Sequence, residues 1–314
     1  MTTISNDPAW WGLINWDRVH SYFVVSSYTV VVYEWVLTFS QEVELVWRQR
    51  WSLMTALYIG VRYIGISSMV ANVLSTIMAV SMTDAHCTIL WFVQVWTPVV
   101  VNAMLGVIIM ARVLAMYQRS KQMLVLLGVV LMACTIASGV MVVIANTNAS
   151  GKEFIRSGNH QCVVFYHRGR MALNNETLIP TFVWETFALC LALRIAIKHF
   201  CELRQTSTGS MFGNWFIVLI QTHVLYFVAF VAVSCFSFGS LSPNIIYSTS
   251  MGDTAYFGIL QIVQPIQMFV LGPRLILSIR EYHTERVASS DEPIAMRADV
   301  FRGRRHVSTN FTSV

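Results

Sequence analysis

The chain has 314 residues, of which 55% are hydrophobic and only 12% are charged, with a net charge of +5. An ordinary soluble domain carries about 25% charged residues, and a disordered chain is poor in apolar residues, so both classes are excluded. The composition is that of a protein with several membrane-spanning segments.

Long runs without charged residues predict the spans. About 20 apolar residues cross the hydrocarbon core as a helix, because each residue rises about 1.5 Å and backbone groups in lipid must be satisfied internally. The sequence therefore predicts an all-α fold with seven transmembrane helices, at 19–39, 54–81, 88–116, 122–145, 177–199, 213–238 and 254–272. We expect an extracellular N-terminus at 1–18, a transmembrane domain at 19–279 and a disordered cytoplasmic tail at 280–314.

The distribution of Lys and Arg predicts the orientation. Basic residues follow the first, third and fifth spans and fill the C-terminal tail, whereas the connections after the second and sixth spans have none. The N-terminus is therefore expected outside and the C-terminus in the cytoplasm. The expected location is the plasma membrane, with an internal membrane as the alternative.

The connection 146–176 carries four basic residues, yet two kinds of signal favour an outer position for it. It contains the glycosylation sequons that begin at Asn148 and Asn175. It also contains Cys162, and Cys87 begins the third span on the same predicted side, where a disulfide is chemically permitted. We expect a Cys87–Cys162 bridge that holds this connection over the bundle, with two unpaired thiols as the alternative.

Ionisable residues within spans are costly, so each carries a functional hypothesis. Glu34 and Arg62 lie in the first two spans and differ in depth by about 7 Å at 1.5 Å per residue, which favours an ion pair. The alternatives are an Arg62 that binds an anion or acts as a switch, and a Glu34 that reaches the interface alone. Glu185 in the fifth span could face a cationic ligand, carry a proton or bond within the bundle. His223 is a candidate partner for it.

The last span has a polar face. Gln261, Gln264 and Pro265 lie at i, i+3 and i+4, so they share one side of the helix, and the proline is expected to kink it. This face fits a water-lined cavity or ordinary hydrogen bonds between helices.

Several signals of chemistry are missing from the sequence. The last span has no lysine that could hold retinal, and the chain has no phosphate-binding Gly-Lys-Ser/Thr loop and no Gly-x-Ser-x-Gly elbow. The eight histidines form no clustered boxes. We therefore expect no enzymatic activity, no cofactor and no metal, and no nucleic acid as a partner.

The N-terminal part of the chain carries a recognisable pattern. The run 33–47 contains Tyr-Glu, Leu-Thr, Glu-Val-Glu and Trp, and Trp51-Ser52-Leu53 and Arg62-Tyr63 follow it. This pattern resembles an integral membrane family found mostly in basidiomycete fungi, the domain of unknown function 6533, over about residues 22–70. The chain departs at Ser40-Gln41, where members often carry more acid. The resemblance implies a membrane location and a fungal source, and it brings no activity.

The overall plan is similar to that of seven-transmembrane receptors, with an outer N-terminus and a bridge from the third helix to the second outer connection. The Asp/Glu-Arg-Tyr and Asn-Pro-x-x-Tyr motifs of those receptors are absent. We expect a receptor-like signalling protein with an unknown small ligand. The alternatives are a transporter or channel for a small solute or ion, and a non-catalytic scaffold or partner subunit. Expected partners are the lipid bilayer and a G protein or another cytoplasmic protein, with coupling candidates Arg112, Arg119 and Arg204.

Overall fold

The computed structural model of the protein describes residues 3–5, 11–48, 51–76, 83–117, 120–147, 149–156, 159–165, 176–205, 211–242 and 251–277. Among these residues, seven helices are long and apolar enough to cross a membrane, which confirms the predicted all-α, multi-pass fold. The predicted tail at 280–314 lies outside the described residues.

The seven helices form one bundle. They are α1 (Trp11–Glu42), α2 (Leu53–Thr76), α3 (Asp84–Met116), α4 (Lys121–Asn146), α5 (Leu178–Gln205), α6 (Met211–Phe238) and α7 (Met251–Ile266). Helices α3, α4 and α6 lie within a few residues of their predicted bounds, because long apolar runs that end in charged or polar residues specify them well. Helix α5 continues to Gln205, beyond its predicted end at 199, and the described part of α2 ends at Thr76, before its predicted end at 81.

Helix α1 is longer than predicted at both ends. It begins at Trp11, within the segment expected to precede the bundle, and continues to Glu42 instead of ending near residue 39. A π-helical turn at Val43–Trp47 follows directly. Because the side chain of Glu42 is fully buried inside the protein, its charge does not end the helix as a lipid-facing charge would.

Helix α7 changes its winding after Pro265. The α-helix ends at Ile266, a π-helical turn covers Gln267–Leu271, and helical backbone continues to Leu277. Proline removes one backbone donor and crowds the preceding turn, which explains why the regular hydrogen-bond ladder is interrupted here. The predicted disturbance at Pro265 therefore takes the form of a π turn.

One end of the bundle carries a small sheet that the sequence analysis did not predict. Strands β2 (Ser150–Arg156) and β3 (Asn159–Phe165) form an antiparallel hairpin, and β1 (Thr3–Ser5) pairs in parallel with β2. We call this end of the bundle the hairpin end, and the end where α1 joins α2 the opposite end. The strands are short and mostly polar, so they lack the alternation of apolar and polar residues that predicts a strand.

The hairpin is fastened to the first turns of α3. A disulfide joins Cys87 to Cys162, as the sequence predicts, and the backbone amide of Glu153 donates to Asp84 Oδ1 at 2.9 Å. A Cβ at Gly151 would stand 2.8 Å from the backbone nitrogen of Thr88, so only glycine allows this approach. The hairpin is thus held by covalent, polar and close backbone contacts.

Two clusters of buried apolar side chains fill the bundle. One lies toward the opposite end and joins α2, α3 and the helical residues after α7, with members such as Tyr58, Val61, Val101, Ile108 and Leu275. The other joins α3, α4, α5 and α6, with members such as Val113, Leu127, Ala188, Ala192 and Phe227. Because lipid is as apolar as these side chains, close packing and polar contacts hold the helices together.

Candidate functional site

The two intramembrane charges that were expected to pair with each other have other partners. Arg62 Nε lies 2.9 Å from Glu42 Oε2, and Glu34 pairs with Arg274, whose Nη2 donates to Glu34 Oε2 at 2.7 Å. The predicted Glu34–Arg62 ion pair is therefore wrong. The error came from ending the first span near residue 39, which left Glu42 outside the membrane and made Glu34 the nearest acid.

Each nitrogen of the Arg62 guanidinium group lies close to an oxygen atom, although the contact of Nε with Glu42 Oε2 is an ion pair without hydrogen-bond geometry. Besides the ion pair, Nη1 donates to the hydroxyl of Tyr58 at 2.6 Å. Nη2 donates to the carbonyl of Trp35 at 3.0 Å and to the hydroxyl of Thr38 at 2.9 Å. The cavity that touches Arg62 has a volume of about 10 Å³, which is about the size of one water molecule. This geometry gives no support to the anion-binding alternative.

The second oxygen of the Glu42 carboxylate accepts two more hydrogen bonds in the same network. Oε1 accepts from Trp47 Nε1 at 3.3 Å and from the hydroxyl of Tyr63 at 3.4 Å. Trp47 can reach back because the π-helical turn follows Glu42 directly. We call these seven residues the Glu42–Arg62 network: Trp35, Thr38, Glu42, Trp47, Tyr58, Arg62 and Tyr63. It joins α1 to α2 without leaving room for a ligand, so its role is structural.

A much larger cavity, of about 590 Å³, lies between the helices at the hairpin end. Its wall is formed by residues of α1, α3, α4, α5, α6 and α7 and by Ser240, which follows α6. The volume falls within the range of about 300–1,000 Å³ that is typical of small-molecule sites. We call it the bundle cavity.

Glu185 lies in the wall of the bundle cavity and is only 6% exposed. Its Oε2 accepts from the hydroxyl of Ser234 on α6, and its Oε1 accepts from Gln267 Nε2 at 3.0 Å. The same amide group of Gln267 also approaches the carbonyl of Phe230 at 3.4 Å. Glu185 therefore connects α5, α6 and the π turn after α7.

His223 was the predicted partner of Glu185. It lies about three helical turns before Ser234 on α6. Ser234 is the α6 residue that donates to Glu185, and the pairing with His223 stays a prediction. The side chain of His223 itself lies outside the described residues.

The predicted polar face of the last span does line a cavity. Gln261 and Gln264 are both in the wall of the bundle cavity, and Gln264 Nε2 donates to Ser237 Oγ at 3.3 Å. The sequence also shows Gln267 in this span, but it was not placed on the predicted polar face, although it is the glutamine that binds Glu185. Helical spacing from Gln264 suggests its position, but the π turn that begins at Gln267 lies beyond a simple periodicity argument.

Aromatic side chains form much of the remaining wall, namely Trp16, Trp91, Trp184, Phe230 and Phe257. Trp184 is 4% exposed, and its indole N–H has no hydrogen-bond acceptor among the described residues. Leu131 and the Trp184 indole nitrogen both pack closely over Gly106 of α3. The cavity thus combines an apolar, aromatic body with a few polar groups, as ligand sites commonly do.

Of the three coupling candidates, the structure describes the side chain of Arg112. Its Nη2 donates to the carbonyl oxygen of Leu275 at 2.8 Å, which ties α3 to the helical residues after the π turn. Its buried Nη1 has no hydrogen-bond partner among the described residues. Arg119 and the side chain of Arg204 lie outside the described residues, as do the sequon residues Asn148 and Asn175.

A search of the described residues finds no group of three or more His, Cys, Asp or Glu side chains that could hold a metal ion.

Comparison with known families gives one informative result. Residues 22–67 match the model of a family of unknown function (DUF6533), and no curated protein matches the chain. All seven residues of the Glu42–Arg62 network fall within the matched segment. In this chain the matched segment forms a pair of helices joined by a buried ion pair, whereas the residues that line the bundle cavity lie outside that segment.

Proposed function

We propose that the chain is a receptor-like membrane protein that binds a small ligand in the bundle cavity and transmits its occupancy to the opposite end. The observation that carries this proposal is the bond between Glu185 and Gln267. It connects the cavity wall directly to the π turn of the last helix. Turns of this kind are frequent at functional sites.

The connection continues from the π turn to the opposite end. Gln267 and Leu275 are eight residues apart, which is about 12 Å along a helix. The Leu275 carbonyl accepts from Arg112, near the end of α3. A ligand that changed the bonding of Gln267 would rewind the π turn and shift the acceptor of Arg112. A ligand shifts a conformational equilibrium only if it binds one state better than the other, and different bonding of Gln267 in the two states would provide that difference.

The shape of the cavity favours a receptor over a channel. Leu105 lines the cavity and is also part of the buried cluster toward the opposite end, with Tyr58, Val61 and Ile108. Each of those three side chains is at most 1% exposed. The cavity therefore ends on close-packed side chains, as expected of a binding site that holds its ligand instead of passing it through.

The basic residues of the sequence support an orientation for this proposal. The Lys/Arg count puts the hairpin end outside and Arg112 on the cytoplasmic side. The Cys87–Cys162 disulfide at the hairpin end agrees with an oxidising outer compartment. In this proposal the ligand arrives from outside, Asn148 and Asn175 are glycosylated, and a fungal plasma membrane is the location.

The test is co-purification with cytoplasmic signalling proteins. Tagged protein is isolated from native membranes under mild detergent and crosslinking, and heterotrimeric G-protein α subunits are quantified by mass spectrometry. We expect specific enrichment that Arg112→Ala abolishes. Lys152→Ala, an exposed change on the hairpin, is the matched control and should leave the enrichment intact. Absence of enrichment, or enrichment that Arg112→Ala does not reduce, contradicts the proposal.

A transporter is the second candidate, and Glu185 is the observation that favours it. A buried acid beside an interrupted helix is an arrangement that proton-coupled transporters use. This alternative predicts a solute flux into proteoliposomes that follows a proton gradient and is lost in Glu185→Gln. A scaffold role predicts no flux, no ligand and tolerance of changes in the cavity.

A further inference from the structure

The acids buried among the helices differ in one respect that concerns ligand chemistry. Glu42 is paired with Arg62, and Glu34 is paired with Arg274. Glu185 has no basic partner among the described residues, and no lysine or arginine appears in the described wall of the bundle cavity. It is also the only acid in that wall. Because an unpaired carboxylate is costly to bury, the charged form of Glu185 requires a cation as its partner.

The hydrogen bonds of Glu185 leave it able to accept such a partner. Ser234 and Gln267 are both neutral donors, and each binds a different carboxylate oxygen. An ionised carboxylate has about four lone-pair sites, so each oxygen keeps capacity for another donor. The two fixed donors orient the carboxylate in the cavity wall without neutralising its charge.

The rest of the wall selects for an organic cation with an apolar body. Five aromatic rings line the cavity, and the faces of such rings attract ammonium groups. A phosphate or another anion would meet Glu185 with no lysine or arginine in the described wall to compensate it. Among the described residues of the wall, His20 is the side chain that can carry a positive charge, and it stacks on Trp16 in α1.

We infer that the bundle cavity binds a small organic amine, with its ammonium group on Glu185 and its apolar body against the aromatic wall. Only the signalling consequence of binding rests on the proposed receptor function. The binding itself does not require it, because a transporter with the same cavity would take the same ligand class.

The experiment uses the purified full chain and pairs of probes that differ in one group. Phenethylamine is compared with 2-phenylethanol, and heptylamine with heptanol, each at up to millimolar concentration. Binding is followed by the thermal unfolding midpoint and by tryptophan fluorescence, since three tryptophans line the cavity. We expect at least one amine to bind about tenfold more tightly than its alcohol, as is typical of hydrogen bonds to a charged group.

Variants assign that preference to Glu185. Glu185→Gln should reduce the affinity for the amine to that for the matched alcohol, and Glu185→Asp should retain the preference. Glu44→Gln is the matched control, because Glu44 is an exposed acid at the opposite end of the bundle. Amines that bind no better than their alcohols overturn the inference, and so does a Glu185→Gln variant that binds amine as tightly as the unchanged protein. Because the paired probes measure the preference for amines on the unchanged protein, the inference can be tested even where a variant does not fold.

The outcomes separate this inference from the proposed function. Amine binding without G-protein enrichment keeps the ligand class and removes the receptor role. Enrichment without a preference for amines keeps the receptor role and removes the ligand class.

Discussion

Glu42 and Glu185 are both buried glutamates in the same helix bundle, but their surroundings differ. Glu42 is fully buried, faces Arg62 at 2.9 Å and accepts two further hydrogen bonds. Glu185 is held by neutral donors and borders a cavity of about 590 Å³. An acid whose charge is already compensated serves the fold, whereas an acid that is oriented but not compensated is available to a ligand.

The two sites also differ in how they are assembled. Every member of the Glu42–Arg62 network lies between Trp35 and Tyr63, so one pair of neighbouring helices builds it. Glu185 takes its donors from residues 49 and 82 positions away, on α6 and after α7. The first site needs only two helices to be in place. The second exists only when most of the bundle is assembled.

The largest expected effect is on the compensated site. Glu42→Ala leaves the buried guanidinium of Arg62 without its counter-charge, which typically costs about 3–5 kcal/mol. We expect a large drop in the unfolding midpoint of the protein in detergent. Glu44→Ala, an exposed acid two residues away, is the control and should change stability by about 0.5 kcal/mol or less. Equal effects of the two variants would show that the charge of Glu42 is not needed.

The double variant Glu42→Leu with Arg62→Leu sharpens this test. Removing both charges avoids the unpaired group, and replacing a buried pair by apolar residues is often neutral or stabilising. The double variant should therefore be more stable than either single variant. If the two losses simply add, the pair is not coupled in the folded protein.

The next effect concerns the cavity end of the molecule. Replacing both Cys87 and Cys162 by serine opens a link between residues 75 positions apart, which costs about 2–4 kcal/mol in typical proteins. Hydrogen exchange should rise in the hairpin and the first turns of α3 and stay low around Glu42. In the unchanged protein, both thiols should react with a labelling reagent only after reduction. Labelling of both without a reductant would contradict the bridge.

Two features of the fold could be predicted because they depend on properties that the sequence displays directly. The number of helices follows from apolar runs of sufficient length, and the Cys87–Cys162 pair follows from two cysteines on one predicted side. The hairpin was missed because its short polar strands depend on the disulfide and on contacts with α3. Those contacts include the close approach of Gly151, which has no local signal in the sequence.

The candidate site was predictable as a set of residues but not as an arrangement. Glu185, Gln261 and Gln264 were each selected for their polarity within a span, and all three line the cavity. Their meeting in one cavity depends on how α5 packs against α6 and α7, which no single helix specifies. The wrong Glu34–Arg62 pair has a related cause, since charge was used to end α1 where burial allows it to continue.

A smaller change in stability is expected at Glu185 than at Glu42. Glu185→Gln leaves no charged group unpaired, and the carbonyl oxygen of the new amide can still accept from Ser234. The change in stability should be about 1 kcal/mol or less, because the disturbed hydrogen bond to Gln267 is offset by removal of a buried carboxylate that has no basic partner among the described residues. Glu42→Gln, the same change in the compensated site, should cost clearly more. Comparable unfolding midpoints for these two variants would break the distinction between the two acids.

The smallest effect is expected at Glu34, whose partner Arg274 has a side chain that is 50% exposed. Ion pairs with an exposed partner contribute about 0–1 kcal/mol, since solvent screens them and the long side chain loses freedom. Glu34→Gln and Arg274→Gln should each lower the unfolding midpoint slightly and by similar amounts. Because Glu34 and Arg62 are not partners, Glu34→Gln combined with Arg62→Leu should give losses that add. A coupling between Glu34 and Arg62 that is larger than the coupling between Glu34 and Arg274 would show that Glu34 pairs with Arg62. Glu42 would then not be the acid whose charge Arg62 compensates.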